Sequence, residues 1–413
     1  MSIQKVVVMG AGHGGFQLAA TLRQTGYQGS IQLLSDEPGL PYQRPPLSKS
    51  YMQGKISEMA MLFRPAAFYE TEKVELIHDS AKIINCDAKT VELNSGKILP
   101  YDHLIIASGA RNRLLNLPGS DLQGVHGIKT RQDADVLIPL LPIIKKLAVI
   151  GAGFIGLEFA AVAAAQGAEV HVIELGERPM QRAISEQMSE VFRLAHEQWG
   201  VQFHFNTGVS AIEGDGDKVS RLLTNDGSSI EVDRIIYGIG VIPNVEIAAD
   251  AGLTIENGIV VDEMLLTSDP NISSLGDVAN FPCKYFNGKR IRLESVQNAV
   301  DQARTIAARL MGNPAPYIQL PWFWTDQGNL KLQIAGLSIG YNETVIVGSV
   351  ADQKLSVLCF CDGELICVES CNRAGDHMVG RKLLARVSGL TPEIAKVEGF
   401  DLKAWEVLNR PEV

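Results

Sequence analysis

An α/β architecture with two Rossmann-like, parallel-sheet domains is what this 413-residue sequence predicts, on three observations. Two glycine fingerprints of the form G-x-G-x-x-G occur, at 10–15 and 151–156. Each follows a short apolar run and opens a helix-like stretch, and each is answered by a second apolar run that ends on an acidic residue. The chain is also too long for a single core, and its hydrophobic fraction of 46% is ample for two or three.

The first unit opens with Lys5-Val-Val-Val-Met9, the kind of apolar run a buried parallel strand needs. It turns at once into Gly10-Ala-Gly12-His-Gly14-Gly15. Gly10 permits the tight turn, Gly12 lets a pyrophosphate approach the backbone, and Gly15 lets the next helix pack close to the strand. A helix is predicted over Phe16–Thr25, with its N-terminal N–H groups and dipole directed at phosphate. Ile31–Leu34 is the second strand, and Asp36 follows it, 26 residues after Gly10 against an expected spacing of roughly 20. Asp36 is preferred to Glu37 as a ribose acceptor because it comes directly off the strand.

The run Pro41-Tyr-Gln-Arg44-Pro45-Pro46-Leu-Ser48-Lys49 breaks the regular pattern, its prolines predicting a stiff extended or turning loop. Arg44 and Lys49 on it are either a solvated basic loop or, as the nearby glycines favour, contacts to dinucleotide phosphate and to a redox ring. Tyr101–Ala110 reads as a buried strand ending in Ala107, Ser108 and Gly109, small residues where backbone passes close to something. His13, His78 and His103 have no carboxylate or second histidine at a telling spacing and are read as structural.

The second unit repeats the first 141 residues later: Leu147–Ile150, then Gly151-Ala-Gly153-Phe-Ile155-Gly156-Leu-Glu158, an Ala-rich helix to Gln166, and the strand Glu169–Ile173 closing on Glu174. Two such units imply two dinucleotide sites. A carboxylate at Glu174 suits a ribose 2′-hydroxyl and repels a 2′-phosphate, so NADH is expected over NADPH, with Arg178 a modest counterweight. Ile235–Asn244, containing Gly240, mirrors the 101–110 strand. Further on, Gly276-Asp277 places a carboxylate at a strand end, where it either caps a helix or accepts from a polyol.

The remaining composition narrows the class. A strand by residue 5 and no run of about 18 apolar residues predict neither export nor membrane spanning. Six cysteines without a C-x-x-C fit reduced thiols and a cytoplasmic protein. Cys359 and Cys361 share one face of an expected strand and read as core, with no metal site. A net charge of −10 argues against nucleic acid and anionic membranes.

These residues carry a resemblance. The chain resembles the FAD-dependent pyridine-nucleotide reductases, and within them the NADH-dependent ferredoxin reductases of bacterial oxygenase systems, a group that includes putidaredoxin and rubredoxin reductases. The resemblance rests on both fingerprints, on 41–49, Gly238–Asn244, Gly276-Asp277, Glu294-Ser-Val-Gln-Asn298 and Pro321-Trp-Phe-Trp-Thr-Asp-Gln327. It implies a glutathione-reductase-like arrangement: an FAD-binding domain in two parts, 1–113 and 247–320, around an NAD-binding domain, 114–246, with a C-terminal α/β domain at 321–413. It implies FAD contacts at Gly10, Gly12, Gly14, Gly15, Asp36, Arg44, Lys49, Lys82, Ala107, Gly109, Lys129, Asp277, Val296 and Trp324. For NADH it implies Gly151, Gly153, Ile155, Gly156, Glu158, Glu174 and Gly240. At 128–130 the chain departs from the family, with Lys129 where an arginine usually precedes the threonine; a point charge replaces a planar fork.

The implied chemistry is hydride delivery from NADH to FAD, then single-electron transfer to an acidic [2Fe–2S] ferredoxin that serves an oxygenase. No cysteine lies between 38 and 55, so a dithiol relay is not expected, and Ser48-Lys49 stands where a thiol would be. Lys49 and Glu158 are expected to pair as the catalytic residues, the alternative for Glu158 being an exposed helix position. Trp322 and Trp324 share a strand face, either lining an electron exit or packing a core. Lys289, Arg290 and Arg292 are either a ferredoxin-docking patch or a solvated turn. Two other readings stay open: a rubredoxin reductase or NADH oxidase of the same fold, and a non-catalytic NADH-responsive flavoprotein.

Overall fold

The computed structural model describes residues 3–386 and 388–410, which divide into two compact units. The first comprises the chain up to Gln43, Glu58–Arg111 and Val241–Pro321; the second comprises Arg44–Ser57, Asn112–Gly240 and the chain from Trp322.

The first unit is built on a five-stranded parallel sheet in the order Ile272–Ser274, His103–Ile106, Lys5–Met9, Ser30–Ser35, Val74–His78. The central strand is fully buried from Val6 to Met9, which is why the sequence there is continuously apolar rather than alternating. The helix that follows spans His13–Gln24 and so begins three residues earlier than the sequence predicts. Gly14 and Gly15 are inside its first turn because packing demands it. A Cβ on Gly14 would stand 2.2 Å from Leu275 Cδ1, and one on Gly15 1.9 Å from Gly10 O. The long helix Val296–Leu310 packs beside this first helix. A three-stranded antiparallel sheet, Ala81–Asn85, Thr90–Leu93 and Ile98–Pro100, shares a core with the parallel strands through Val91, Leu93, Leu99, Val7 and Leu104.

The second unit repeats the plan with the parallel order Val201–His204, Glu169–Ile173, Lys146–Ile150, Arg234–Tyr237, Val125–Gly127. Its glycine-loop helix, Phe154–Ala165, is buried continuously from Gly156 to Ala163, which alanine's small volume allows. The meander Val209–Asp215, Lys218–Thr224, Ser229–Glu231 covers the sheet's other face around Ala148, Ile150, Leu222 and Ile235. The same unit contains a five-stranded antiparallel sheet, Trp322–Gln327, Leu330–Gly336, Glu364–Cys371, Lys354–Cys361, Glu343–Ser349. Helices Ala374–Leu384 and Leu402–Leu408 close a core on it around Phe360, Val368, Leu383 and Leu402. The helical sequence pattern over 378–387 falls within the first of these helices as far as Leu384, and its last residue, Val387, lies outside the described residues, as do 411–413.

The proline run does not form a loop alone: Pro45–Ser48 is a turn of 3₁₀ helix with proline in its first two positions. Cys359 is fully buried and Cys361, at the end of its strand, only half so; the β-bulge beside them places its extra residue, Ile366, on the facing strand.

Candidate functional site

The two glycine loops are built alike, atom for atom. Gly10 N donates to Leu34 O at 3.1 Å and Gly151 N to Ile173 O at 2.8 Å, joining each loop to the strand that ends in the acid. Ala107 N donates to Met9 O at 2.8 Å, and Gly238 N to Ile150 O at 2.8 Å. With φ +103° and +98°, Gly10 and Gly151 hold a left-handed turn, and a Cβ would strike Ala107 O at 2.3 Å or Gly238 O at 2.6 Å.

The middle glycines differ in kind. Gly12 and Gly153 cap their helices from extended backbone at φ −70° and −79°, which any residue can adopt. A Cβ on Gly12 would meet nothing within 4 Å, and one on Gly153 only Gly238 O at 3.9 Å. Neither the backbone nor the protein's own packing requires glycine here. The space they leave lies at a helix N-terminus, where a pyrophosphate needs close approach to the backbone. Both loops therefore fit a dinucleotide.

The acids behave differently in the two repeats. Asp36 is exposed just beyond Ser35, while Glu37 is engaged by the Tyr42 hydroxyl. Glu174 accepts from Ala152 N at 2.7 Å and Gly176 N at 2.7 Å, so it pins its own glycine loop. Arg178 is spent on backbone, donating to the carbonyls of Ile184, Ser185 and Gln181 at 3.1–3.4 Å.

Lys49 and Glu158 come together, Nζ to Oε1 at 2.7 Å, with side chains 19% and 5% exposed. Glu158 is thus a buried helix residue. Two partners absent from the sequence reading complete its shell: Ser48 Oγ donates to Oε2 at 2.5 Å and Thr325 Oγ1 donates to Oε1 at 2.6 Å. Beyond Thr325, Gln327 reaches Thr325 Oγ1 at 3.3 Å and His196 Nε2 at 2.8 Å. His196 is fully buried against Trp199 and Phe203, and burial pushes its imidazole down to about 4.

Other expected residues are placed as follows. Arg44 donates to Lys129 O at 2.9 Å, and Lys129 N is held by Asp133 at 2.9 Å, at a helix start capped by Thr130. Ala107 and Gly109 flank Ser108, whose hydroxyl donates to Asn244 O at 2.9 Å, with Asn244 N returning to Gly109 O at 3.0 Å. Asp277 lies in a 3₁₀ turn over Gly276–Val278, and Val296 is the first residue of a helix capped by the Ser295 hydroxyl. Lys82 is exposed and paired across its ladder with Glu92 at 3.2 Å. Ile155 is 38% exposed in the first helical turn, and Gly240 accepts from Arg113 N at 3.0 Å. Trp322 and Trp324 share one face with ring centroids 5.5 Å apart, Trp322 being further sandwiched by His377 and Arg381.

Residues 4–303 match the family described as pyridine nucleotide-disulphide oxidoreductase. The chain belongs to that family. Residues 322–405 match the reductase C-terminal family. The chain is 46% identical over 399 residues to rhodocoxin reductase of Rhodococcus erythropolis, covering 96% of this chain and 93% of that one. Among solved structures it is similar to the ferredoxin reductase for the CYP199A2 system of Rhodopseudomonas palustris, at TM-score 0.95 and 47% identity over 97% and 99% of the two chains. It is likewise similar to the covalent putidaredoxin reductase–putidaredoxin complex, at TM-score 0.95 and 33% identity over the full length of both chains. Family membership makes the chain an oxidoreductase with FAD and NAD(H) as its cofactors.

Two features of the family member depart from simple expectation. The basic group at 289–292 has local partners, with Lys289 and Arg290 exposed. Arg290 donates to the carbonyls of Val261 and Asn280 at 2.8 and 3.0 Å, Arg292 pairs with Glu294 at 2.8 Å, and Lys289 lies over the Phe286 ring. In the C-terminal domain, Cys359, Cys367 and Glu369 bring ligand-type atoms within 4.8 Å of one another. Both Glu369 oxygens are already taken by Ser185, its N–H at 2.7 Å and its hydroxyl at 2.5 Å, and burial pushes the Cys367 thiol well up. That arrangement ties the helix beginning at Glu186 to the antiparallel sheet.

Proposed function

We propose that the protein is an NADH-dependent flavoprotein reductase that passes electrons, one at a time, to a [2Fe–2S] ferredoxin serving an oxygenase. The observation that carries the reading is the buried Lys49–Glu158 pair, backed by Ser48 where a disulfide reductase would need a thiol. The relatives' names support the acceptor class, since one is a rhodocoxin reductase and another is captured with putidaredoxin.

Bound FAD would supply the hydride-accepting and single-electron-donating chemistry that links NADH to an iron–sulfur centre. The chain's residues prepare for that. Gly12 and Asp36 serve the ADP half of FAD, and Arg44, Lys129 and Asp277 serve its phosphate and polyol portions. Gly153, Gly156 and Glu174 hold NADH, with the exposed apolar face of Ile155 against it. Lys49 supplies a cation for the charge of the reduced cofactor, and Glu158 orients that cation and shapes the nicotinamide pocket. Glu174 favours NADH, and Arg178, held by three carbonyls, gives a 2′-phosphate no partner. No helix among the described residues is long and apolar enough to cross a membrane; six unpaired cysteines support the cytoplasm.

Anaerobic stopped-flow reduction of the holoenzyme by NADH, followed by mixing with oxidised [2Fe–2S] ferredoxins and rubredoxins, tests this. Fast bleaching and reoxidation by a ferredoxin is expected. Preference for rubredoxin, or reoxidation only by oxygen, sinks the acceptor assignment.

A further inference from the structure

We propose that Thr325 and Gln327, on a strand of the C-terminal domain, are positioning residues that keep the Glu158 carboxylate an acceptor and aim it at Lys49. The proposal rests on the functional reading of that pair and concerns a strand to which neither fingerprint belongs.

The argument is one of donor direction. Glu158 receives three groups, Lys49 Nζ at 2.7 Å, Thr325 Oγ1 at 2.6 Å and Ser48 Oγ at 2.5 Å, and an ionised carboxylate can only accept. Thr325 has one hydroxyl proton. Given to Glu158, it leaves Thr325 only acceptor capacity toward Gln327. The amide nitrogen of Gln327 must therefore face Thr325, and it does, at 3.3 Å, with Met180 Sδ as its second acceptor at 3.7 Å. That fixes the amide oxygen toward His196 Nε2 at 2.8 Å, so His196 must donate from Nε2. Burial of His196 keeps the ring neutral, with the proton on that nitrogen.

The chain His196→Gln327→Thr325→Glu158 thus has one self-consistent direction. Reversing the amide would set two oxygens against the Thr325 hydroxyl and leave one without a proton. The strand geometry makes this possible: Phe323, Thr325 and Gln327 alternate onto one face, where Phe323 packs on Phe154 of the glycine-loop helix at 4.5 Å, while Trp322 and Trp324 take the other. The sequence distance between Thr325 and Glu158 is 167 residues, so nothing local announces the contact.

The test uses Thr325→Val, which keeps shape and removes the hydroxyl, with Thr325→Ser as rescue. Anaerobic reduction of the holoenzyme by NADH should slow about tenfold in Thr325→Val, the scale of one hydrogen bond to a charged group, with the apparent affinity for NADH unchanged. Thr325→Ser should restore the rate. In the holoenzyme, ¹⁵N NMR should find His196 as the neutral Nε2–H tautomer, changing on Gln327→Leu. If wild type is reduced by NADH while Thr325→Val matches it in rate, the positioning role is overturned. An Nδ1–H tautomer in wild type overturns the chain's direction. If wild type itself is not reduced by NADH, the functional reading fails, and the tautomer measurement decides the inference alone.

Discussion

Deleting Lys49 should cost much more stability than neutralising the residue it pairs with. In Lys49→Met, the Glu158 carboxylate, 5% exposed, loses its countercharge and keeps only the Ser48 and Thr325 hydroxyls. Leaving one member of a buried pair behind costs about 3–5 kcal/mol, and two retained donors set the expectation near the low end, about 3 kcal/mol. In Glu158→Gln the charge left over is Lys49, 19% exposed, whose stem lets the ammonium turn to water. Ser48 can accept from the new amide instead of donating, so the loss is about 1 kcal/mol. The double variant Lys49→Met/Glu158→Gln removes the stranded charge and should recover about 2 kcal/mol relative to additivity. For a unit of roughly 200 residues, 1 kcal/mol moves Tm by about 2–4 °C, giving losses of about 6–12 °C for Lys49→Met and about 2–4 °C for Glu158→Gln. Thermal melts followed by circular dichroism and flavin release read these directly. Equal losses for the two single variants, or strict additivity in the double, would refute the claim that Glu158 depends on Lys49 as a buried countercharge.

Three further outcomes follow from the same geometry. Gly12→Ala should leave the apoprotein's melting unchanged but lower FAD retention, and Gly153→Ala should raise the KM for NADH, whereas Gly15→Ala, with its Cβ 1.9 Å from Gly10 O, should not fold; melting curves and the flavin-to-protein absorbance ratio separate these cases. Burial holds His103 at about 3 and His196 and His377 at about 4, so the unfolded chain binds protons that the folded one refuses; stability should fall below pH 6.5, by about 1.4 kcal/mol for each of these histidines at pH 5.5, and His377→Leu should make that slope shallower in urea titrations. Burial pushes Glu369 up to about 7, which makes its contribution complete below the ordinary carboxylate range and lost as pH rises through 7; Glu369→Gln should therefore be near neutral at pH 5 and stabilising at pH 8, and a pH-independent effect in thermal melts would contradict this.

How much of this was legible in the sequence depended on the range of the interaction. Strand Lys5–Met9, strand Glu169–Ile173 and both left-handed glycines follow from local sterics and continuous burial, and a local reading finds them. The start of the first helix was misjudged by three residues because Gly14 and Gly15 look like loop until the Leu275 and Gly10 contacts that require them are known. Lys49 and Glu158 could be paired from the resemblance. Ser48, Thr325, Gln327 and His196 could not be joined to them, because each contact closes over 110 residues or more, or continues a chain that does. At 289–292 the sequence shows the cations but not their partners: Lys289 and Arg290 are exposed, while Arg290 also donates to buried carbonyls and Arg292 pairs with Glu294.

Glu174 sets the terms on which anyone could re-engineer the nucleotide preference. The usual exchange of such an acid for a neutral residue, with a cation brought in nearby, assumes that the carboxylate is there for the ribose alone. Here its two oxygens receive Ala152 N and Gly176 N, so the exchange would slacken the glycine loop itself. The native arginine cannot be recruited cheaply either, since Arg178 closes the 181–185 turn. A variant accepting NADPH would have to rebuild the loop's anchor first and its charge second, and libraries that vary position 174 alone should return weaker NADH enzymes rather than switched ones.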